Sequence, residues 1–108
     1  MIPENILEAA ARRKIDVLGI TDHNSAENVT AVTKAAADYG ITIIGGMELT
    51  TEEEVHILCL FDGKEALSDF QELVYGRLHG SNSPEDFGHQ WVVDFEGGVL
   101  DVNPRLLF

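Results

Sequence analysis

Ile15-Asp16-Val17-Leu18-Gly19-Ile20-Thr21-Asp22-His23-Asn24-Ser25 is the stretch on which the fold turns. Its first seven residues form a short run rich in β-branched side chains, which reads as a buried strand. A polar turn follows, and Ser25 is placed to cap a helix whose apolar face is Val29, Val32, Ala36 and Tyr39. Gly40 closes that helix as the glycine just past its last turn. Ile41-Thr42-Ile43-Ile44 is a second buried strand. Strand, helix and strand in this order argue an α/β fold with at least some parallel pairing.

The pattern continues on both sides. Upstream, Pro3 suits the first turn of a helix, where its missing N–H costs nothing. Glu4 and Glu8 favour the positive end of that helix, and Arg12, Arg13 and Lys14 the negative end. Ile6, Ala9, Ala10 and Arg13 share one face. Downstream, Gly45-Gly46 punctuates, Met47 to Thr51 is extended, and Glu52, Glu53 and Glu54 make an acidic turn. Val55 to Phe61 is a third apolar strand, and a third helix carries Leu67, Phe70, Val74 and Leu78 on one stripe. Gly80 to Pro84 is loop. Residues 90–95 and 99–102, separated by Glu96-Gly97-Gly98, read as a β-hairpin. The apolar run Leu106-Leu107-Phe108 reads as the beginning of a further element. A closed eight-stranded barrel typically takes ~250 residues, so the 108 residues here cannot form one. They are read as a single domain, residues 1–108.

Charge limits the partners. There are 19 acidic and 7 basic side chains, a formal net charge of -12. Such a surface repels nucleic-acid backbones and anionic lipid, so neither direct nucleic-acid nor membrane binding is expected. Cys59 is the one cysteine, which rules out an intrachain disulfide. It sits in an apolar run and reads as a buried small hydrophobe suited to a reducing cytoplasm. No signal peptide or membrane span is evident.

Several side chains near strand ends could carry chemistry. In parallel α/β folds, functional groups collect there because the sheet holds the loops. His23 can ligate a metal, with Asp22 fixing its tautomer from outside the ligand set; equally, residues 22–25 can be a plain polar turn. Glu48, between Met47 and Leu49, needs a partner or a metal if buried, or it points to water. His56 lies between Val55 and Ile57 and can be an ordinary buried histidine. A hairpin centred on Glu52 would place Glu48 and His56 directly opposite, with Cβ atoms about 4.5–5.5 Å apart. They would then share an ion or form a salt bridge. His79 and His89 read as structural or exposed. No phosphate-binding glycine loop, Cys-x-x-Cys or nucleophile elbow is present.

Taken together, these segments resemble the PHP family, named for polymerase and histidinol phosphatase. Residues 1–10 resemble its first helix. Leu18-Gly19-Ile20-Thr21-Asp22-His23-Asn24 is similar to its second motif. Ile44 to Thr50 with Val55-His56-Ile57-Leu58 is similar to its third. Phe87-Gly88-His89-Gln90, the Trp-Val-Val-Asp strand and Leu106-Leu107 resemble one bacterial and archaeal branch. The resemblance implies a distorted (β/α)7 barrel that holds divalent ions and hydrolyses phosphate esters. It makes His23, Glu48 and His56 metal ligands, Glu48 the bridging one, and Asp22 their supporting partner. The family's His-x-His strand, a later histidine and a C-terminal Asp-x-His have no counterpart in residues 1–108. The expected fold is therefore a partial (β/α)7 barrel with a C-terminal β-hairpin.

The expected function is metal-dependent hydrolysis of a phosphorylated small molecule, weak or absent in this chain because most ligands are missing. Mixed N/O ligands suit zinc, manganese or iron. The other reading is a non-catalytic interaction or assembly module. Its open sheet edge would favour a homo-oligomer.

Overall fold

The computed structural model describes residues 2–107. The reading of Met1 as the start of the first helix, and of Phe108 within the apolar end run, falls outside them. The elements in order are helix α1 (Pro3–Arg12), strand β1 (Val17–Ile20), helix α2 (Val29–Ala36), strands β2 (Thr42–Thr50) and β3 (His56–Leu60), and helix α3 (Lys64–Tyr75). A single helical turn α4 (Pro84–Phe87) and strands β4 (Trp91–Val93) and β5 (Val99–Val102) complete them. This is a mixed α/β architecture, with no closed barrel among the described residues. Among the described residues, no helix is long and apolar enough to cross a membrane.

β1, α2 and β2 form the expected parallel unit, with Val17 beside Thr42 and Ile20 beside Gly45. β3 then pairs antiparallel with β2, giving the order β1-β2-β3. β4 and β5 form a separate hairpin, irregular between Val92 and Val93. Gly97, at φ +85°, makes its turn, a conformation that costs glycine little. Gly40, also left-handed at φ +65°, ends the α2 segment after a 3-10 turn at Ala37–Tyr39.

The core lies where α1 and α2 cover the sheet. Leu7, Ala10, Ile20, Val29, Val32, Ala35, Ala36, Ile41 and Leu67 form one buried cluster. Leu7 and Met47 are fully buried. In α1 the buried residues are Pro3, Leu7 and Ala10, so Leu7 rather than Ala9 or Arg13 anchors the helix.

Five expectations change. Gly45-Gly46 does not punctuate: β2 runs straight through it. Both glycines are there because neighbours crowd the strand. A Cβ on Gly45 would meet Val29 and Leu67 side chains at 2.8 and 2.9 Å. β1 and β3 are not buried strands. Among the described residues only β2 is flanked on both sides, and Val17, Leu58 and Leu60 stay exposed on the outer strands. Cys59, on β3, is half-buried for the same reason. Ser25 does not cap α2, which begins at Val29 after Asn28; its hydroxyl instead lies 2.7 Å from the Tyr75 hydroxyl. Finally, α3 ends at Tyr75, so Leu78 lies beyond it while Leu67 and Val74 are buried.

A polar network ties the second half of the chain to the first. The Asn103 amide donates to the Tyr75 hydroxyl at 2.8 Å and to Glu27 at 3.0 Å. Burial raises the Tyr75 phenol above its ordinary pKa of 10.0, against the lowering effect of its Ser25 hydrogen bond. Asn24 Nδ2 donates to the buried Leu107 carbonyl at 2.8 Å.

Candidate metal centre

The chain leaving β1 does not turn away from the sheet at once. Glu48 N donates to the Asp22 carbonyl and Asn24 N to the Glu48 carbonyl, both at 3.0 Å. His23 thereby forms a parallel bridge with Glu48. Asn24 fixes this extension. It takes a left-handed conformation, φ +47°, which asparagine tolerates better than most residues. Its Oδ1 accepts from Thr50 N at 3.0 Å. The loop holding His23 is thus stitched to β2 on both sides of Glu48.

His56 arrives from β3 by a different register from the expected one. Thr50 pairs with His56 and Glu48 with Leu58, so the hairpin centres on Glu53 rather than Glu52. Glu48 and His56 are diagonal neighbours, not opposed ones. They remain on one face of the sheet, because residues two apart on a strand point the same way. Diagonal side chains of this length can still meet.

They do meet. His56 Nδ1 lies 2.9 Å from Glu48 Oε1, and His23 Nδ1 lies 3.5 Å from Glu48 Oε2. The carboxylate therefore offers one oxygen to each imidazole. The two imidazole rings stand nearly perpendicular, with centroids 6.1 Å apart. One ligand atom from each of the three residues lies within 4.8 Å of the others. At Zn–N bonds of about 2.1 Å, tetrahedral ligands sit about 3.4 Å apart, so small side-chain rotations would close the set around one ion. The donor types fit as well: two imidazole nitrogens and a carboxylate suit zinc, manganese or iron.

Asp22 sits beside this set with its carboxylate 3.4 Å from the Asn28 side-chain amide. Asp22, His23 and Glu48 line a cleft of about 500 Å³. His89 and Trp91 line it too. His89 read as an ordinary loop residue, and the one signal around it was the resemblance of Phe87-Gly88-His89-Gln90 to a branch of the family. It reaches the cleft only because the β4–β5 hairpin docks against the loop between β1 and α2. His79 lines a different surface pocket, with Arg77 and Leu78.

Residues 1–100 match the family model of the PHP domain. The chain belongs to the PHP domain family. PHP domains are metal-dependent, and His23, Glu48 and His56 form a possible metal-binding group in this one. This PHP domain is 32% identical over 86 residues to the phosphoribosyl 1,2-cyclic phosphate 1,2-diphosphodiesterase of Eggerthella lenta. That alignment covers 73% of this chain and 33% of the enzyme. It is also 37% identical over 54 residues to an uncharacterized protein of Methanocaldococcus jannaschii, covering 49% of this chain and 32% of that protein. The chain thus spans about a third of the length of these curated relatives. No solved structure matches it.

Proposed function

We propose that this PHP domain supplies part of a divalent-metal site for phosphate-ester hydrolysis, with His23, Glu48 and His56 as its ligands. The observation that carries this is the carboxylate of Glu48 set between the imidazoles of His23 and His56. Glu48 is the ligand able to bridge, since its two oxygens already face different rings. Asp22 supports the set from the loop that holds His23. The β1–β2–β3 sheet with its helices is, on this reading, one partial domain and one stretch of wall of a (β/α)7 barrel.

The chemistry a divalent metal supplies when bound is activation of water and neutralisation of charge on the phosphoryl oxygens. The chain's own residues hold and orient. Asn24 pins His23 beside Glu48 through the backbone, and the β2–β3 pairing fixes the approach of His56. With three ligands, the hydrolytic rate of residues 1–108 is expected to be low. The test is hydrolysis of 4-nitrophenyl phosphate and its bis-ester with added manganese or zinc. A metal-dependent rate that falls to background in His23→Ala is the expected result. No rate with any metal rejects hydrolysis by this chain.

The exposed outer strand favours a second reading, a non-catalytic assembly module. Leu58 and Leu60 of β3 are 65% and 56% exposed, and this strand pairs on one side only. Such edges recruit another strand. A homodimer or larger species is expected by light scattering, weakened by Leu58→Lys. A monomer at high concentration would exclude it.

A further inference from the structure

Residues 103–107 lie outside the strands, yet Asn103 and Leu107 are only 4% and 7% exposed. The side chain of Gln90 holds this segment. Its Nε2 donates to the Asn103 carbonyl at 3.0 Å and to the Arg105 carbonyl, and its Oε1 accepts from Leu107 N at 3.3 Å. Asn103 N returns a bond to the Gln90 carbonyl at 2.8 Å. Residues 103–107 are therefore a strap bent around one amide side chain. Without that amide, backbone groups of a nearly buried segment lose their partners.

The other end of Leu107 meets the loop that carries His23. Its carbonyl accepts from Asn24 Nδ2 at 2.8 Å. Asn24 is buried, and its Oδ1 already accepts from Thr50 N. Its side chain thus has one bond to β2 and one to the strap. The left-handed backbone of Asn24, φ +47°, persists only while its surroundings impose it, and the strap supplies one of those two bonds. His23 is the preceding residue. Gln90 and Asn24 meet through the N–H and the C=O of Leu107, so the hairpin side of the cleft is joined to a metal donor by neutral hydrogen bonds.

We propose that Gln90 is a positioning residue for the metal site: acting through Leu107 and Asn24, it holds His23 against Glu48. This rests on the metal reading of His23, Glu48 and His56. Gln90→Leu keeps most of the bulk and removes all three strap bonds. By calorimetry it should weaken zinc binding about tenfold, the lower end of what a group supporting a ligand is worth. Linkage makes the effect reciprocal, so saturating zinc should slow exchange of the wild-type Leu107 amide about tenfold. Cobalt(II) reads the ligand set optically, and its visible absorption should change in Gln90→Leu. Gly45→Ala, which loses stability elsewhere, should keep the wild-type zinc affinity and cobalt spectrum. Zinc bound equally tightly by wild type and Gln90→Leu, with one cobalt spectrum, overturns the positioning role. If Gln90→Leu does not fold, the wild-type exchange decides: a Leu107 amide indifferent to bound zinc overturns it. The metal-free protein separates the two readings. There Gln90→Leu should speed exchange of the Asn24 and Glu48 amides, which join the His23 loop to β2, about tenfold through local opening. The Phe61 amide, bonded to the Gly45 carbonyl, should not change. That result with no zinc bound by any variant upholds the joint and rejects the metal site. Zinc binding with the Asn24 and Glu48 amides unmoved upholds the metal site and rejects the joint.

Discussion

Glu48→Ala is expected to weaken manganese or zinc binding by on the order of 100-fold or more, since losing even a group that supports a ligand costs 10–100-fold. The reasoning is geometric. Glu48 is the only one of the three donors that approaches both of the others, at 2.9 and 3.5 Å. Without it, two imidazoles with centroids 6.1 Å apart remain, and neither brings charge to offset that of the ion. Glu48→Gln separates charge from shape. It keeps one oxygen ligand but removes the negative charge, so its affinity should fall between wild type and alanine. Glu53→Ala serves as the control. It changes the net charge by the same amount at the exposed tip of the β2–β3 turn and should bind metal as the wild type does. Isothermal calorimetry at neutral pH reads all four proteins. Equal affinity in wild type and Glu48→Ala would mean that the cluster is a pair of ordinary contacts between histidine and glutamate.

How far the residues alone revealed this site depends on which contacts are local. The alternation of the strand around His56 and the spacing back to Glu48 fixed which face each occupies. That survives the change of register, because moving the partner of Glu48 from His56 to Leu58 is a shift of two residues and keeps the face. The turn itself was not legible. Glu54 takes φ +60°, and Thr51 N bonds the Val55 carbonyl while Glu54 N bonds the Thr51 carbonyl. Three consecutive glutamates give no sign of which one bends. The β-branched run of β1 and the apolar run of β3 correctly marked strands, but strand composition does not say how many neighbours a strand has. Both proved to be sheet edges. His89 and Trp91 were opaque for a different reason. Their place in the cleft depends on Asn28 bonding a backbone 63 and 65 residues away, and a single sequence carries no trace of such a contact.

Gly46→Ala is expected to cost about 3 kcal/mol, the upper part of the range for overpacking, out of the roughly 5–15 kcal/mol that holds a domain together. A Cβ at this position would lie within 2.4 Å of the Cys59 carbonyl oxygen, with Leu60 and Thr21 side chains at 2.9 and 3.1 Å. The first of these is backbone. It can move only if β3 slides or tilts against β2, where Gly46 faces Leu60 and Met47 faces Cys59. Gly45→Ala should cost less, since it would meet side chains rather than backbone: the Leu67 terminus can rotate aside, while Val29, stiff in its helix, must shift with α2. Gly63→Ala should cost no more than about 1 kcal/mol, the difference between glycine and alanine as the residue capping α3, because no atom lies within 4 Å of its added carbon and its φ of -166° is ordinary extended backbone. Urea midpoints at unchanged slope rank the three. The displaced strand also carries His56, so Gly46→Ala should lose metal affinity along with stability, whereas Gly45→Ala, on the side of the sheet facing α2 and α3, should lose stability alone. If Gly46→Ala melts with Gly63→Ala, then β3 does not sit as closely on β2 as the site requires, and the approach of His56 to Glu48 loses its structural cause.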